Sequence, residues 1–181
     1  MRFLAADAAR VLHIANCQEA EVGLLRRLLE GVGTAGEERA GRATLPADVG
    51  KALWQLTFRQ LTLSVFEALA VPKRGDANLR KAFELLGDPK VREVVGAVGD
   101  HRRLGVAIAA WDAFSCDPRR AAMKRVRDRI VSHRSAPNLY PSCIQEVVET
   151  ANWLAEVGEQ LIAGCIRWRN SAAPSATRCV P

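Results

Sequence analysis

A single tyrosine and five phenylalanines stand among 181 residues, and nowhere do apolar and polar residues alternate for long enough to mark a strand. A sheet protein is therefore not expected, because strands draw on aromatic and β-branched residues at a period of two. No apolar run approaches the ~18 residues that a bilayer span requires, so no membrane crossing is expected. The five cysteines (Cys17, Cys116, Cys143, Cys165 and Cys179) are odd in number and contain no C-x-x-C pair. That argues against a disulfide framework and a zinc module, and suits a reducing cytoplasm. The segment from Met1 to Cys17 ends Ile14-Ala15-Asn16-Cys17, close to a lipoprotein cleavage pattern, but Asp7, Arg10 and His13 interrupt its apolar stretch. Asn16 also stands where a small residue is needed, so a signal segment is not expected. Gly-rich phosphate loops, a Ser-His-Asp order and paired carboxylates are likewise missing.

What remains is the balance of a packed helical protein: 49% apolar and 25% charged residues, with alanine and leucine abundant. The length suits one domain with a substantial core, here expected over residues 1–170, followed by a disordered tail over 171–181. A net charge of +6 is a modest excess, so where the cations sit matters more than their number.

Apolar residues from Leu4 to Leu29 recur at three- and four-residue steps and predict an amphipathic helix ended by Gly31-Val32-Gly33, with an exposed connection from Thr34 to Thr44. Pro46 suits the first turn of a second helix over Ala47–Ala70, whose apolar girth places it in the middle of a bundle. A short helix follows over Asn78–Leu86, stopped by Gly87-Asp88-Pro89. Lys90 to Phe114 has helical spacing with a break near Asp100, and Asp117-Pro118 caps a helix over Pro118–His133. Ala136-Pro137-Asn138 and Pro141 break the chain before a last long helix over Ser142–Arg169. The expected architecture is all-α: an antiparallel bundle of about four long helices with shorter inserted helices.

Between Asp117 and Arg134 the chain reads D-P-R-R-A-A-M-K-R-V-R-D-R-I-V-S-H-R. Arg119, Arg120, Lys124, Arg125, Arg127, Arg129 and Arg134 face only Asp117 and Asp128, the densest basic patch in the chain. Met123, Val126 and Ile130 supply a narrow apolar stripe, so one side packs while the rest presents cations. A basic helix of this kind is often no more than a solvated face. Here Arg127, Asp128 and His133 together make a kit for splitting a phosphodiester. An imidazole moves protons near neutral pH, and a guanidinium braces phosphate oxygens and stabilises the charge of a pentacoordinate phosphorus. RNA brings its own nucleophile in the 2′-hydroxyl, so neither a metal nor a cofactor is needed.

The run R-D-R-I-V-S-H resembles the R-polar-x(3–5)-H signature of the HEPN superfamily, with four residues between Asp128 and His133, and V-R-D-R-I-V-S-H-R is similar to the version in its abortive-infection AbiU-like branch. The likeness extends loosely over Ala47 to Arg169. It implies a HEPN-like bundle, commonly dimeric, and a metal-independent endoribonuclease acting as a toxin or phage-defence effector, with an antitoxin protein as a possible partner. It also implies that Arg127 and His133 are catalytic and that Asp128 orients them. Arg120, Lys124, Arg125, Arg129 and Arg134 would then hold RNA. Six residues at about 100° each leave Arg127 and His133 roughly 120° apart on an ideal helix. Either the helix unwinds before His133, or the site forms from two copies across a two-fold axis, the option preferred here. Some HEPN toxins carry a modifiable tyrosine two positions after the histidine. This chain has Ser135 there, with Tyr140 farther on, so control by tyrosine modification is not expected.

His13 and Cys17 stand one turn apart, but nothing supplies further ligands at fitting spacing, so no metal site is expected. His101 beside Arg102 and Arg103 reads as a surface histidine. Trp54, Trp111 and Trp153 fall on apolar faces and read as core, whereas Trp168 between Arg167 and Arg169 suits an exposed contact. Glu67, on the apolar second helix, is a candidate buried partner for an arginine. The alternative to a nuclease is a non-catalytic helical module that binds nucleic acid or a protein through charge alone.

Overall fold

The computed structural model describes the backbone of residues 2–34, 46–73, 76–114, 116–132 and 141–171, and among these every regular element is a helix. The elements are α1 (Arg2–Thr34), α2 (Ala47–Leu69), α3 (Leu79–Leu86), α4 (Pro89–Val98), α5 (His101–Phe114), α6 (Pro118–Ser132) and α7 (Pro141–Ser171). Beyond Thr34, the connection expected over Thr34–Thr44 lies outside the described residues, as do the break around Pro137 and the tail after Ser171.

The core is organised by α1 and α7, each of which repeats its buried residues close to every seven positions. On α1 these are Ala8, Ala15, Val22 and Leu29; on α7 they are Val147, Ala151, Leu154, Leu161 and Cys165. A repeat near 3.5 keeps one seam facing a partner helix along its length. Arg26 Nη1 donates to Asn152 Oδ1 at 3.2 Å, and Glu19 lies against Gly158. As α1 is followed forward, α7 is met backward: the two run antiparallel. Ser64 of α2 donates to Glu21 of α1 at 2.6 Å, while Gln18 and Glu67 line one cavity, so α1 and α2 are antiparallel too. The shorter α3 and α4 pack on α1, and α5 and α6 pack on α7. The two buried threonine hydroxyls are satisfied within their own helices. Thr62 donates to the Phe58 carbonyl at 2.8 Å and Thr150 to that of Glu146 at 2.7 Å, which removes the penalty for burying them. Burial pushes the Cys165 thiol up to about 12, so it stays protonated and unreactive.

Three expectations need correction. α1 continues through Gly31 and Gly33 to Thr34, because glycine only weakens a helix by about 1 kcal/mol, and packing such as the burial of Leu29 outweighs that. The second helix is not central: Val49, Leu53 and Leu56 at its start are 40%, 40% and 64% exposed, and its burial begins in earnest at Phe58. α1 and α7, the most extensively packed pair, share the central place instead. Glu67 is exposed rather than buried, and the carboxylate engaged with α2 is Glu21.

The joint at Asp100 falls where the spacing predicts it. Asp100 Oδ1 accepts from Arg102 N and Arg103 N at 3.0 and 3.2 Å, capping α5. Its own N–H donates to the Gly164 carbonyl of α7 at 3.0 Å. That contact requires bare backbone, since a Cβ on Gly99 would sit 1.7 Å from the Gly164 oxygen. Gly105, in the exposed middle of α5, has nothing within 4 Å of a built Cβ. Gly99→Ala is therefore expected to destabilise the protein by about 3 kcal/mol or more through forced backbone movement. Gly105→Ala should stabilise it by about 0.5–1 kcal/mol by removing helix-breaking freedom. Urea denaturation of both variants checks the opposite signs.

Candidate nucleic-acid interface

α6 owes its start to Asp117, whose Oδ1 accepts from Arg119 N at 2.8 Å, with Pro118 in the first turn. The Arg119 side chain folds back onto the same carboxylate. Its Nε lies 2.9 Å from both Asp117 oxygens, and its Nη2 also bonds to Oδ2. The guanidinium carbon sits 5.8 Å from the Phe114 ring centre and 5.5 Å from that of Trp153, within cation–π range. Behind it the aromatic rings continue as a column: Phe114 on Trp153 at 4.1 Å, Trp153 beside Trp111 at 6.0 Å, and Trp111 on Phe83 at 4.4 Å. The column joins α3, α5, α7 and α6. Arg119, expected as one of the presented cations, is thus a structural residue, and Trp111 and Trp153 are packing residues as expected. Hydrogen bonding from Arg119 holds the Asp117 carboxyl below its usual value, and the same bond raises Arg119.

With Ala122, Met123 and Val126 buried and Arg119 turned inward, the remaining described positions of α6 are exposed. Arg120 and Lys124, one turn apart, line a groove of about 580 Å³ together with Arg80 of α3. Its floor is apolar, from Phe66, Leu69, Val71 and Met123. Arg120 and Lys124 make no ion pair among the described residues, whereas Arg80 has a loose one to Glu84 at 3.8 Å. Arg125 turns the other way, 3.9 Å from Glu146 of α7. Asp128 is exposed on the next turn. The backbone of α6 carries Arg127 and Arg129, but their side chains, like all of His133 and Arg134, lie outside the described residues, as does the Trp168 side chain. The predicted basic face is therefore divided. Two of the five expected RNA contacts share the groove, one points to α7, and Arg119 is withdrawn into the aromatic column.

Arg80 is the contributor that sequence reasoning missed. Leu79, Ala82, Phe83 and Leu86 form the buried face of α3, which places Arg80 at its flank, yet nothing in the local pattern shows that α3 docks beside α6. His13 and Cys17 are in contact, with Cys17 Sγ 3.8 Å from Nε2, but among the described residues they belong to no group of three potential metal ligands. His101 is exposed at the start of α5, its ring lying where a Cβ on Gly96 would fall. Among the described residues no helix is long and apolar enough to cross a membrane. No family model, curated protein or solved structure matches the chain.

Asp117→Ala removes the cap of α6 and the anchor of Arg119 together, and should lower stability at neutral pH by about 1–2 kcal/mol. Because the folded-state value of this carboxyl is depressed, its contribution is present above the ordinary value of 3.8 and is lost as the pH falls through the lower folded value. Thermal melts should therefore show the gap between wild type and Asp117→Ala closing in acid, below about pH 4.

Proposed function

We propose that this protein binds RNA along α6 and cleaves it without a metal, in the manner of the HEPN ribonucleases its motif resembles. The observation that carries the binding half is the convergence of Arg80, Arg120 and Lys124, from two separate helices, on one open groove. A cationic track over an apolar floor is what a single strand engages, phosphates on the cations and bases on the floor. The cleavage half rests on the sequence. Arg127 follows Lys124 by one turn, and α6 ends at Ser132, directly before His133, so the track leads to the motif.

In the proposed reaction the 2′-oxygen attacks phosphorus and the 5′-oxygen leaves, producing a 2′,3′-cyclic phosphate. The 2′-hydroxyl gives up its proton to one His133, and the leaving oxygen receives a proton from another, so protons balance over the turnover. Arg127 neutralises the added negative charge at phosphorus, and Asp128 orients the pair. Because Arg127 and His133 are roughly 120° apart on an ideal helix, a homodimer supplies the complete site, and the fold reads as an antiparallel bundle of HEPN type. The same resemblance extends the reading to a cytoplasmic toxin or phage-defence effector restrained by an antitoxin.

Incubation of the purified protein with single-stranded RNA in EDTA should yield cyclic-phosphate ends. His133→Ala should slow cleavage by at least about 100-fold, and Arg127→Ala by a similar factor. His133→Ala cutting at the wild-type rate would overturn the nuclease reading. RNA binding without cleavage, weakened equally by loss of any two arginines, would leave the charge-driven binding module.

A further inference from the structure

The geometry points to the groove between the end of α2, α3 and α6 as a seat for one unpaired nucleotide of the bound strand, its base on the apolar floor and its flanking phosphates on Arg80, Arg120 and Lys124. This deepens the RNA-binding reading and rests on it. Phe66, Leu69 and Val71 come from α2 and the segment after it, and Ala121 and Met123 from α6; together they present an apolar floor. Among the described residues the one carboxylate lining the groove, Asp117, is already held by Arg119 and adds little repulsion. At about 580 Å³ the groove lies within the size range of small-ligand sites, ample for a base and its sugar.

The cations are placed to recognise a strand and not merely a charge. Arg120 and Lys124 are four residues apart on one helix, a rise of about 6 Å, comparable with the step between successive phosphates of a single strand. Arg80 closes the groove from α3. It and Arg120 also border a neighbouring hollow lined by Glu84 and Asp112; Glu84 is paired with Arg80 and Lys81, but the Asp112 carboxylate would repel phosphate, so the apolar groove is the side on which an anionic strand settles. A duplex keeps its bases stacked inside and has none to offer the floor. The seat therefore selects unpaired RNA and sets which base lies next to the segment running toward Arg127. An acidic peptide is the competing occupant, and it lacks the flat unsaturated ring that an open apolar floor covers best.

Two kinds of variant separate floor from rim. Ala121 is exposed and lines the groove, so Ala121→Trp fills the floor while leaving every cation in place. Val71, 67% exposed, provides a milder floor change as Val71→Ser. Arg120→Gln and Arg80→Gln alter the rim. The readout is fluorescence anisotropy with a labelled single-stranded RNA 12-mer, the same 12-mer carrying abasic sites, an RNA duplex, and a poly-glutamate peptide. Free AMP serves as competitor, and circular dichroism melts check folding.

Wild type should prefer the intact single strand to the abasic one by about tenfold. Ala121→Trp should erase that preference and leave abasic binding unchanged, with Val71→Ser reducing it in part. Each rim variant should weaken both strands and lower the slope of log K against log salt by about 0.7. Equal binding of intact and abasic strands by wild type, or an Ala121→Trp protein that keeps the preference, would overturn the seat while leaving RNA binding intact. Full displacement of the strand by AMP alone would assign the groove to free nucleotide, and tighter binding of the peptide would assign it to a protein; either result overturns the proposal. Failure of wild type to bind any RNA would overturn the seat and the proposed function together.

Discussion

The position of the basic helix depends on what Arg119 does. By sequence it is one cation among seven between Asp117 and Arg134; in the structure it is bonded to Asp117 and laid against Phe114 and Trp153. That single arrangement starts α6, ties it to the end of α5 and presses it on α7. Were Arg119 to swing into solvent, the Asp117 carboxylate would lose the partner that lowers it, and the aromatic column would lose its polar lid. Arg120 and Lys124 reach the groove because Arg119, one position earlier, points inward.

Beneath this lies a close approach of backbones. Gly99 and Gly164 bring the α4–α5 joint onto α7, so that the Asp100 N–H finds a carbonyl on another helix. Side chains at either position would hold the helices apart. Trp111 and Phe114, farther along α5, then meet Trp153 on α7 at stacking distance. The groove is thus a distant consequence of two missing side chains: the joint seats α5, α5 seats the rings, and the rings seat Arg119.

This construction suits a site that must be charged and yet well placed. A helix as basic as α6 repels itself, and among its described residues it buries a narrow stripe of Ala122, Met123 and Val126, little apolar surface with which to dock; Ile130 of the expected stripe lies outside the described side chains. The Asp117–Arg119 pair and the ring column supply the missing hold without neutralising the face turned to the groove. Arg125, paired loosely with Glu146, adds a second tie to α7 at the far side, while Arg120 and Lys124 stay on the groove.

Much of the secondary structure was legible from local signals: the breaks fall near Gly87-Asp88-Pro89 and Asp100, and Asp117 caps α6 as read, while Asn78, Asp88 and Asp100 prove to be caps as well, because a short polar side chain satisfies the orphan N–H groups there. The Arg127 to His133 motif was also visible in one dimension, as residue types at a spacing. Glycine was the ambiguous signal, since the same residue ends a helix, rides inside one at Gly31 or admits a neighbour at Gly99, and only packing chooses among these. Charge was ambiguous in the same way, because seven adjacent cations look alike until rings and carboxylates are folded beside them. By itself the sequence determined the helices, their starts and the basic character of α6, all properties of neighbours within a few turns. Only the tertiary structure decided that Arg119 would be a clamp, that Arg80 would join Arg120 and Lys124, and that the α1–α7 pair and not α2 would be central, because each depends on contacts between residues far apart in the chain.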